Sequence, residues 1–584
     1  MGSMNRSARE YDQVWYVSPE GNDVNDGTKE QPFKTLGRAR DAVRELNQSM
    51  QGDIVIYLRG GMYALKETLV LDERDSGFNG FQVIYCAYPG EKPILSGGQV
   101  LGEWRKSGNL IYSCSVGELR FRQLYINGQR ANRARSPVRG QYNRIKAWDK
   151  ESKEIILDRH EVKDWSQFQG VEMVIQQFWS ESTVRLKQFR ISGQEARVTI
   201  QEPEGTMLFQ RPHAPKVPGQ YYHFENALEF VQEQGDWYAN NATGELSYIP
   251  HEDVDMTSVI AIAPVVETLI SLVGTLNHPV HDILISGLTF EHTTWLRPSE
   301  QGNLNAQAGQ YNVYADEHNK QYVGRPSAGV YVACAQRVCI HRNEFRHMGA
   351  TALDFHYGTD TCEAEGNLIH DIAGNGISIG IYSKPDVNFT EPYNPADLRE
   401  VATGDKIRNN VIRRVGLDYY GAVGIGAGYV RSIRIEHNDL EDLPYSGISM
   451  GWGWLHADTA ARDNHIVCNR IRRAMSLLCD GGGIYTLSKQ PDSEISGNLI
   501  IDIKRSPWAD RYPIAAIYLD EGTAGFRVFG NEHRYSTPED IHLHHTGENI
   551  ISNYNSDVEA VTAFAGLETD YRDLLDSIGV SNDR

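Results

Sequence analysis

The second half of the chain carries a degenerate repeat built around one asparagine per unit. Each unit reads asparagine, any residue, an apolar residue, two mostly polar residues and a final apolar or small residue. The asparagines of the six units are Asn343, Asn367, Asn410, Asn438, Asn469 and Asn498. They stand 24 to 43 residues apart, and most units continue into a small-residue turn and a short strand. A repeat of this length with strand-type alternation predicts a solenoid of β-coils.

Composition and charge narrow the class of protein and its partners. The 584 residues are 40% hydrophobic and 23% charged, and no apolar run approaches the roughly 20 residues of a membrane span. The net charge of −20 argues against nucleic acid and against a membrane surface as partners, because both require a basic surface. Seven scattered cysteines without CxxC spacing indicate free thiols in a reducing compartment. The oligomeric state stays open.

The start of the chain bears on the compartment. Met1-Gly-Ser is typical of a vector-derived remnant ahead of Met4. With Met4 as the natural start, no hydrophobic signal segment precedes the first strand, and this predicts a cytoplasmic protein. A signal peptide removed during cloning would instead make the protein secreted or periplasmic.

The first 255 residues are expected to form two segments. Residues 14–97 form an N-terminal cap and the first coils, because residues 35–46 have the apolar spacing of a helix that shields the open end of a solenoid. Residues 98–255 lose the repeat. The turn sequences Asn127-Gly128 and Asn241-Ala-Thr-Gly244 lie beside alternating segments there, as in β-hairpins, and predict an inserted β-sandwich.

The rest of the chain is expected to return to the solenoid. Residues 256–560 form the main β-helix with a groove, and residues 561–584 form a tail or cap. A Pro- and Asn-rich excursion at 384–395 accounts for the longest step between the repeat asparagines, and long loops on a regular coil often carry function.

Aligning the repeat strands on their inward apolar residue predicts which side chains face outward, because side chains alternate along a strand. The inward column is Leu353, Ile377, Ile425, Ile448, Ile484 and Ile517. The first outward column is Asp354, Ser378, Gly426, Ser449, Tyr485 and Tyr518. A second outward column lies two residues further on and consists of His356, Gly380, Gly428, Gly451, Leu487 and Asp520.

Aromatic residues concentrate on the late coils of the outward columns. Tyr485 and Tyr518 are expected to stack as neighbours on one exposed face, and together with glycines they suit a sugar ring. Trp452, Trp454 and His456 follow the adjacent coil and enrich the same region. Outward tyrosines can also simply cover a sheet. The predicted substrate-binding residues are Tyr485, Tyr518, Trp452, Trp454, His456, Asp354 and His356.

Candidate catalytic carboxylates lie beside these tyrosines. Hydrolysis of a glycosidic bond takes a proton donor and a base or nucleophile, normally two carboxyl groups about 5–10 Å apart. Asp480 precedes one strand, and Asp520 and Glu521 follow the next. In a fully extended register Asp480 and Asp520 would lie too far apart, and the glycines at 481–483 are the expected means of folding the chain back. Each acid can also be interpreted as non-catalytic, Asp480 as a turn residue and Asp520-Glu521 as a solvated corner.

Other polar motifs are weaker candidates for functional sites. His542-Leu-His-His545 is expected to be a polar surface strand outside the repeat columns rather than a metal site. Glu291-His292 is expected to line an adjacent wall, and His347 and His370-Asp371 are expected at corners. The sequence predicts no metal site and no cofactor, and it lacks GxSxG, phosphate-loop and HExxH motifs.

Several segments resemble a known family. The opening Trp15–Thr28 with Gln31-Pro-Phe33 resembles bacterial right-handed parallel β-helix proteins. Segments spread along the chain resemble glycoside hydrolase family 141: Gly287–Trp295, Gly349–Asp354, Gly374–Ile377, Asp480–Tyr485 and Tyr518–Gly522. That family is associated with α-L-fucosidase and xylanase activities, and the family 120 β-xylosidases share a β-helix with an inserted β-sandwich. The resemblance implies two catalytic acids in the late coils, Asp480 and either Asp520 or Glu521.

The combined prediction is an all-β, right-handed parallel β-helix with an N-terminal helix cap and an inserted β-sandwich. It is expected to act as an exo-glycoside hydrolase on plant or microbial oligosaccharides or polysaccharides. A β-helix polysaccharide lyase is the second enzymatic possibility, although its chemistry favours a Lys or Arg base that the outward columns lack. A non-catalytic carbohydrate-binding β-helix is the third.

Overall fold

The repeats wind into a right-handed parallel β-helix, as predicted. The structure is a computed structural model that describes residues 11–162, 170–212, 216–318, 320–383, 388, 391–535, 539–552 and 558–576. Residues 384–387, 389 and 390 of the excursion expected at 384–395, and residues 577–584 of the expected tail, lie outside the described residues. Among the described residues, no helix is long and apolar enough to cross a membrane.

Three long parallel sheets form the walls of the β-helix, and a typical coil contributes one strand to each sheet, with two short strands to sheet 1 in some coils. Sheet 1 contains Tyr11–Val17, Asp53–Leu58, Val83–Ala87, Val280–Ser286, Ala335–His341, Thr359–Asp360, Glu363–Glu365, Ala402–Thr403, Lys406–Arg408, Val430–Arg431, Arg434–Glu436, His465–Val467, Lys489–Ser496, Ala524–Phe529 and Ile550–Ile551. Sheet 2 contains Gly61–Ala64, Pro93–Ser96, Thr289–Glu291, Glu344–Met348, Leu368–Ile372, Val411–Arg413, Asp439–Glu441, Arg470–Arg472, Leu499–Ile501 and Glu532–Arg534. Sheet 3 contains Leu69–Leu71, Ile270–Val273, Ala328–Ala333, Thr351–Phe355, Ile377–Ile379, Ile425–Ala427, Ile448–Met450, Gly481–Thr486, Ile514–Leu519 and Glu539–Leu543.

The repeat asparagines form a buried ladder along the β-helix. The Asn438 side-chain oxygen accepts the Asn410 backbone N–H at 3.0 Å, and its amide nitrogen donates to the Ile407 carbonyl at 2.8 Å. The same pattern continues through Asn469 and Asn498. It then reaches a seventh asparagine, Asn531, which the repeat analysis did not include. Each side chain therefore satisfies backbone groups at a corner that would otherwise be buried without partners.

The register of sheet 3 confirms the predicted columns. Ile484 pairs with Ile517 and Tyr485 with Tyr518, and the preceding coils align as predicted. The next coil extends both columns, because Ile517 pairs with Ile541 and Tyr518 with His542. The prediction that the histidine segment lies outside the columns is therefore wrong.

The N-terminal cap is a helix, Leu36–Leu46. Thr35 caps it by accepting the Arg38 backbone N–H on its hydroxyl at 3.1 Å. Leu36, Ala39 and Val43 are buried in the same core as the first coils, as their spacing predicts. Leu46, the last residue of the predicted apolar face, is instead exposed. The remaining helices are Glu204–Gln210, Arg297–Gln301, Val558–Phe564 and Asp573–Asp576. Short 3-10 helices are Asn47–Ser49, Glu73–Asp75, Arg159–Glu161, Leu228–Phe230, Leu398–Glu400 and Thr569–Tyr571.

The segment that lacks the repeat forms mostly antiparallel sheets over two cores of its own. A four-stranded sheet contains Gly98–Leu101, Tyr125–Ile126, Gln129–Arg130 and Ala261–Pro264. A five-stranded sheet contains Arg105–Lys106, Tyr112–Ser115, Asn132–Arg133, Asp236–Asn240 and Glu245–Tyr248. The largest contains Arg135–Ser136, Asn143–Arg144, Ala147–Asp149, Glu154–Asp158, Glu172–Gln177, Ser180–Ser192, Glu195–Ile200, Tyr221–Glu225, Asn303–Gln307, Gln310–Ala315 and Gln321–Gly324. The hairpin turns predicted at Asn127-Gly128 and at 241–244 are both present.

Two features connect this insertion and the tail to the β-helix. Strand Asn303–Gln307, which leaves the β-helix between two coils, pairs with the insertion strand Ser180–Ser192. Together with Gln310–Ala315 and Gln321–Gly324 it forms an extension of the insertion sheet over the outer face of sheet 3. The C-terminal residues run back along the coils, where Glu568 bonds to Asn409 and Asp573 pairs with Arg342 at 2.8 Å. The boundaries expected for the segments stay predictions.

Candidate active site

Asp480 and Asp520 face one cavity of about 480 Å³ over the late coils of sheet 3. Its lining residues are Trp179, Ala306, Gln307, Val323, Trp452, Gly453, Trp454, Leu455, Asp480, Tyr485, Tyr512, Pro513, Tyr518, Asp520, Glu521 and His544. The insertion and its extension supply Trp179, Gln307 and Val323. The cavity therefore lies between the β-helix and the structure that covers it.

Asp480 stands at the start of strand Gly481–Thr486 with a left-handed backbone, φ 60°. Its backbone N–H donates to the Pro513 carbonyl at 2.9 Å, which fixes it beside the next coil. The glycines at 481–483 do not fold the chain back, because they belong to the strand itself. They instead allow close packing, since a Cβ on Gly481 would lie 2.6 Å from the Ser446 hydroxyl.

Two tyrosines bring the separated carboxylates to one site by reaching in opposite directions. The Tyr518 hydroxyl donates back to Asp480 at 3.0 Å, and the Tyr485 hydroxyl donates forward to Asp520. Their rings cross edge to face, with centroids 5.3 Å apart and planes at 77°. Both rings are buried. The prediction of a flat, exposed tyrosine platform is therefore wrong, because the insertion covers this face and the hydroxyls bind the acids.

Asp520 has a second partner in the following coil. The His544 Nδ1 lies 2.7 Å from an Asp520 carboxylate oxygen. His542 lies two residues earlier, and its ring meets the Tyr518 ring edge to face at 4.6 Å. These histidines are the next members of the two outward columns. Extending the predicted columns by one coil would have found both, so the signal was present in the sequence.

The two acids sit in different electrostatic surroundings. Burial, and secondarily the negative charge of Asp520, raise the pKa of Asp480 to about 7. Asp520 is itself buried and accepts from both Tyr485 and His544. The two acids therefore differ in their partners, because one tyrosine hydroxyl holds Asp480 whereas a tyrosine hydroxyl and an imidazole hold Asp520.

The turn after Asp520 is held by close backbone contacts. Gly522 has φ 80°, and a Cβ there would lie 2.4 Å from the Leu455 carbonyl oxygen. This contact places the Trp452–Leu455 loop against the turn that carries Asp520 and Glu521. Glu521 also lines the cavity. The geometry thus brings together all three predicted catalytic acids.

Comparison with solved structures decides the family. A structure titled "Glycoside hydrolase" has a TM-score of 0.92 and 32% sequence identity, covering 96% of this chain and 100% of its own. The chain belongs to the glycoside hydrolases. Residues 111–251 of this glycoside hydrolase match a family model described as the GH141 insertion domain. The resemblance to family 141 is thus confirmed, and the substrate class is carbohydrate.

Two further proteins match a smaller part of the chain or match it with lower sequence identity. "Uncharacterized protein YwoF" of Bacillus subtilis (strain 168) is 36% identical over 85 residues, which are 15% of this chain and 16% of that protein. The chain thus spans under a fifth of this curated relative. A structure titled "The complex structure of XylC with xylose" has a TM-score of 0.46 and 11% identity, covering 93% of this chain and 86% of its own.

The predicted substrate-binding residues of the glycoside hydrolase separate into two groups. Tyr485, Tyr518, Trp452 and Trp454 line the cavity, but His456 is exposed and is not among the lining residues. The predicted role of His456 in substrate binding stays a prediction.

Asp354 and His356 lie in the predicted outward columns but in a different setting. Asp354 is buried in a two-bonded ion pair with Arg325, at 2.5 and 2.6 Å. His356 bonds to the Tyr331 hydroxyl at 2.7 Å. Neither lines the cavity, because they stand several coils before Asp480. Arg325 also contacts the Tyr382 ring, which packs edge to face on Trp452, so this group supports a cavity wall from behind.

The sequence analysis missed the residues supplied by distant segments. Trp179 and Gln307 are unremarkable in the linear sequence, since nothing there shows that the insertion folds over sheet 3. Gln307 donates to the Tyr445 hydroxyl at 3.1 Å, which in turn donates to the Asp480 carbonyl at 2.8 Å. The extension thereby steadies the backbone that positions Asp480.

A second cavity of about 260 Å³ adjoins the first. Phe178 lines it and stacks on Tyr512, which lines the first cavity, with centroids 4.6 Å apart and planes at 28°. Trp508, Tyr221 and Arg144 also line it. The segment 508–513 thus supplies walls to both cavities.

Proposed function

We propose that this glycoside hydrolase removes terminal sugars, with Asp480 as proton donor and Asp520 as nucleophile or general base. The observation that carries the proposal is the pair of crossed tyrosine hydrogen bonds. They hold two carboxyl groups from neighbouring coils at the wall of one cavity. Two carboxyl groups flanking a sugar site are the usual machinery for glycosidic cleavage.

The surroundings of each acid support its role. A carboxyl group whose pKa is about 7 keeps its proton at the pH where many enzymes work, and can deliver it to a departing oxygen. Asp520, bonded by Tyr485 and His544, is arranged to carry the negative charge that a nucleophile or base needs. Glu521 lines the same cavity and is the alternative to Asp520.

The shape of the cavity supports exo-action. Trp179, Gln307, Trp454 and Tyr512 all line it, although they belong to segments that are far apart in the chain. An endo-acting enzyme needs an open groove that a polymer can cross. A walled cavity instead suits the end of a chain, and the adjoining cavity at Trp508 offers room for the leaving part of the substrate.

The lining also favours a neutral sugar. Among the described residues that line the cavity, none is lysine or arginine, so no side chain there would neutralise a uronate. The walls at Trp452, Val323 and Pro513 are apolar. They suit a sugar without an exocyclic hydroxymethyl group, such as a 6-deoxyhexose or a pentose. The expected activities are therefore α-L-fucosidase, which the resemblance to family 141 implies, or β-xylosidase, the activity of the architecturally related family 120.

A panel of para-nitrophenyl glycosides tests the proposal. It should contain the α-L-fucoside, β-D-xyloside, α-L-arabinofuranoside, β-D-galactoside and α-D-galactoside. We expect release of nitrophenol from the α-L-fucoside or the β-D-xyloside. Asp520→Asn should reduce the rate at least 1000-fold, whereas Asp492→Asn, at an exposed ion pair with Arg462 in a neighbouring coil, should not change it. Loss in Glu521→Gln with full activity in Asp520→Asn would move the role to Glu521. No release of nitrophenol from any glycoside of the panel would contradict exo-action on these sugars.

A further inference from the structure

Glu291, His292 and His347 form a buried cluster at the ends of two neighbouring strands of sheet 2. One possible ligand atom from each lies within 4.8 Å of the others. Glu291 ends strand Thr289–Glu291, and His347 belongs to the next strand, Glu344–Met348. The His292 backbone N–H donates to the His347 carbonyl at 3.1 Å, which aligns the two histidines on adjacent coils. None of the three lines the candidate active site.

Each imidazole has one nitrogen held by an oxygen and one nitrogen free. The His292 Nδ1 lies 2.9 Å from the Ser96 hydroxyl, and the His347 Nε2 lies 3.4 Å from an Asp371 carboxylate oxygen. The opposite nitrogens, His292 Nε2 and His347 Nδ1, are buried without a hydrogen-bond partner among the described residues. Buried polar atoms are almost always paired, so two such nitrogens in one cluster require an explanation.

This pattern is typical of metal-binding histidines. A ligating histidine usually donates its second ring N–H to a carboxylate or another oxygen, which fixes the tautomer and the ring orientation. An Asp371 carboxylate oxygen lies 3.4 Å from the second ring nitrogen of His347, and Asp371 is itself held by the Arg130 guanidinium at 2.7 Å. Two imidazole nitrogens and one carboxylate oxygen match the ligand set of many zinc sites.

We propose that Glu291, His292 and His347 bind one zinc ion, which joins two neighbouring coils of the β-helix beneath the first hairpin of the insertion. Tyr125, from the first hairpin of the insertion, covers the cluster, with its ring 4.9 Å from the His292 ring and 4.3 Å from the His347 ring. Its hydroxyl is also buried without a partner among the described residues. Arg130, from the same hairpin, contacts the Tyr125 ring and pairs with the Asp371 carboxylate. The role is structural, since the cluster is separate from the cavity that holds Asp480.

The metal content of the purified protein tests the site. After expression with added zinc and removal of any affinity tag, inductively coupled plasma mass spectrometry should find about one zinc per chain. His292→Gln and His347→Gln should each reduce this at least fivefold, whereas His465→Gln, at an ion pair on sheet 1, should retain it. A strong chelator should lower the melting temperature of the wild type and leave that of the two cluster variants unchanged.

A measurement on the wild type keeps the test independent of variant folding. Anomalous X-ray scattering at the zinc edge from crystals of the full chain should show a peak bonded to His292 and His347. Zinc at surface histidines only would overturn the proposal. So would a zinc-free wild-type protein that takes up no zinc at micromolar concentration, because the free nitrogens would then be bound to buried water.

Discussion

At the scale of single residues, the site depends on hydrogen bonds that cross between coils. Tyr518 belongs to one coil and serves the acid of the coil before it, while Tyr485 serves the acid of the coil after it. Each acid is thereby positioned by a residue from the other strand. Because Asp480 and Asp520 are buried and close enough to influence each other, ionisation of one opposes ionisation of the other.

The pH dependence of activity follows from this pairing. Ionised Asp480 cannot donate a proton, so kcat/KM should fall as the pH rises through about 7, the pKa of this carboxyl group. Removing the Asp520 charge should lower that pKa, because a neighbouring negative charge is one of the two causes that raise it. The basic limb of the residual activity of Asp520→Asn should therefore move to lower pH. A basic limb at the same pH in both proteins would contradict the coupling.

The sequence predicted the two acids that face the cavity, but it did not predict which side chains bond to them. Asp480 and Asp520 stand out because they adjoin aromatic outward positions in neighbouring repeats. The Tyr485 and Tyr518 side chains point in opposite directions along the β-helix because of their rotamers, which a strand register does not specify. His544 is different, since the column that contains Asp520 leads directly to it.

At the scale of elements, the asparagine ladder explains how strands of only three residues keep their register. The corner after each short strand of sheet 1 has few strand hydrogen bonds to hold it. The ladder supplies additional ones in every coil, from Asn343 to Asn531. Its regularity is the reason that the sequence alone predicted the β-helix and the alignment of its columns.

Breaking the ladder in its middle should be costly. Asn438→Ala would remove the side-chain partners of the Asn410 N–H and the Ile407 carbonyl, and one of the two bonds that the Asn469 side-chain oxygen accepts from residue 438. We expect a loss of about 3 kcal/mol or more in the free energy of unfolding, because each buried unpaired group costs roughly 1–3 kcal/mol. Guanidinium unfolding followed by tryptophan fluorescence measures it.

The control for this substitution is an asparagine outside the ladder. Asn241→Ala, at an exposed turn of the insertion, should change the free energy of unfolding by less than about 0.5 kcal/mol. Equal effects from the two substitutions would show that the ladder contributes no special stability.

At the scale of the whole molecule, the insertion converts an outer face of the β-helix into a cavity. The Arg122 and Arg133 guanidinium groups bind Glu172 inside the insertion, and Arg122 also reaches Ser299 and Tyr419 of the β-helix loops. This buried network fixes the insertion against the β-helix. The wall that carries Trp179 is therefore held in a defined position over the acids.

Substitution of that wall should affect binding more than chemistry. Trp179→Ala should raise KM about tenfold and change kcat less than threefold, because we expect the lost aromatic surface to contact the sugar away from the reacting atoms. Trp148→Phe, which alters the insertion away from the cavity, should leave both constants unchanged. Steady-state kinetics on the best aryl glycoside measures these values. A large fall in kcat with KM unchanged would place Trp179 in the chemical step.

The sequence could not predict how the insertion and the β-helix meet. Local alternation gave the hairpins at Asn127-Gly128 and at 241–244, since turn chemistry is local. Contacts such as Gln307 with Tyr445 join residues that are far apart in the chain and have no periodic signal. For this reason the outward tyrosines were expected to be exposed, and the cover that buries them became evident only in three dimensions.

The central claim is the division of labour between Asp480 and Asp520, and leaving-group dependence tests it most directly. A proton donor matters little when the leaving group departs without protonation. Asp480→Asn should therefore retain substantial activity on a dinitrophenyl glycoside and lose at least 100-fold on a glycoside with an alkyl leaving group. Asp520→Asn should lose activity on both. Equal losses on the two substrates in Asp480→Asn would contradict the assignment of Asp480 as the proton donor.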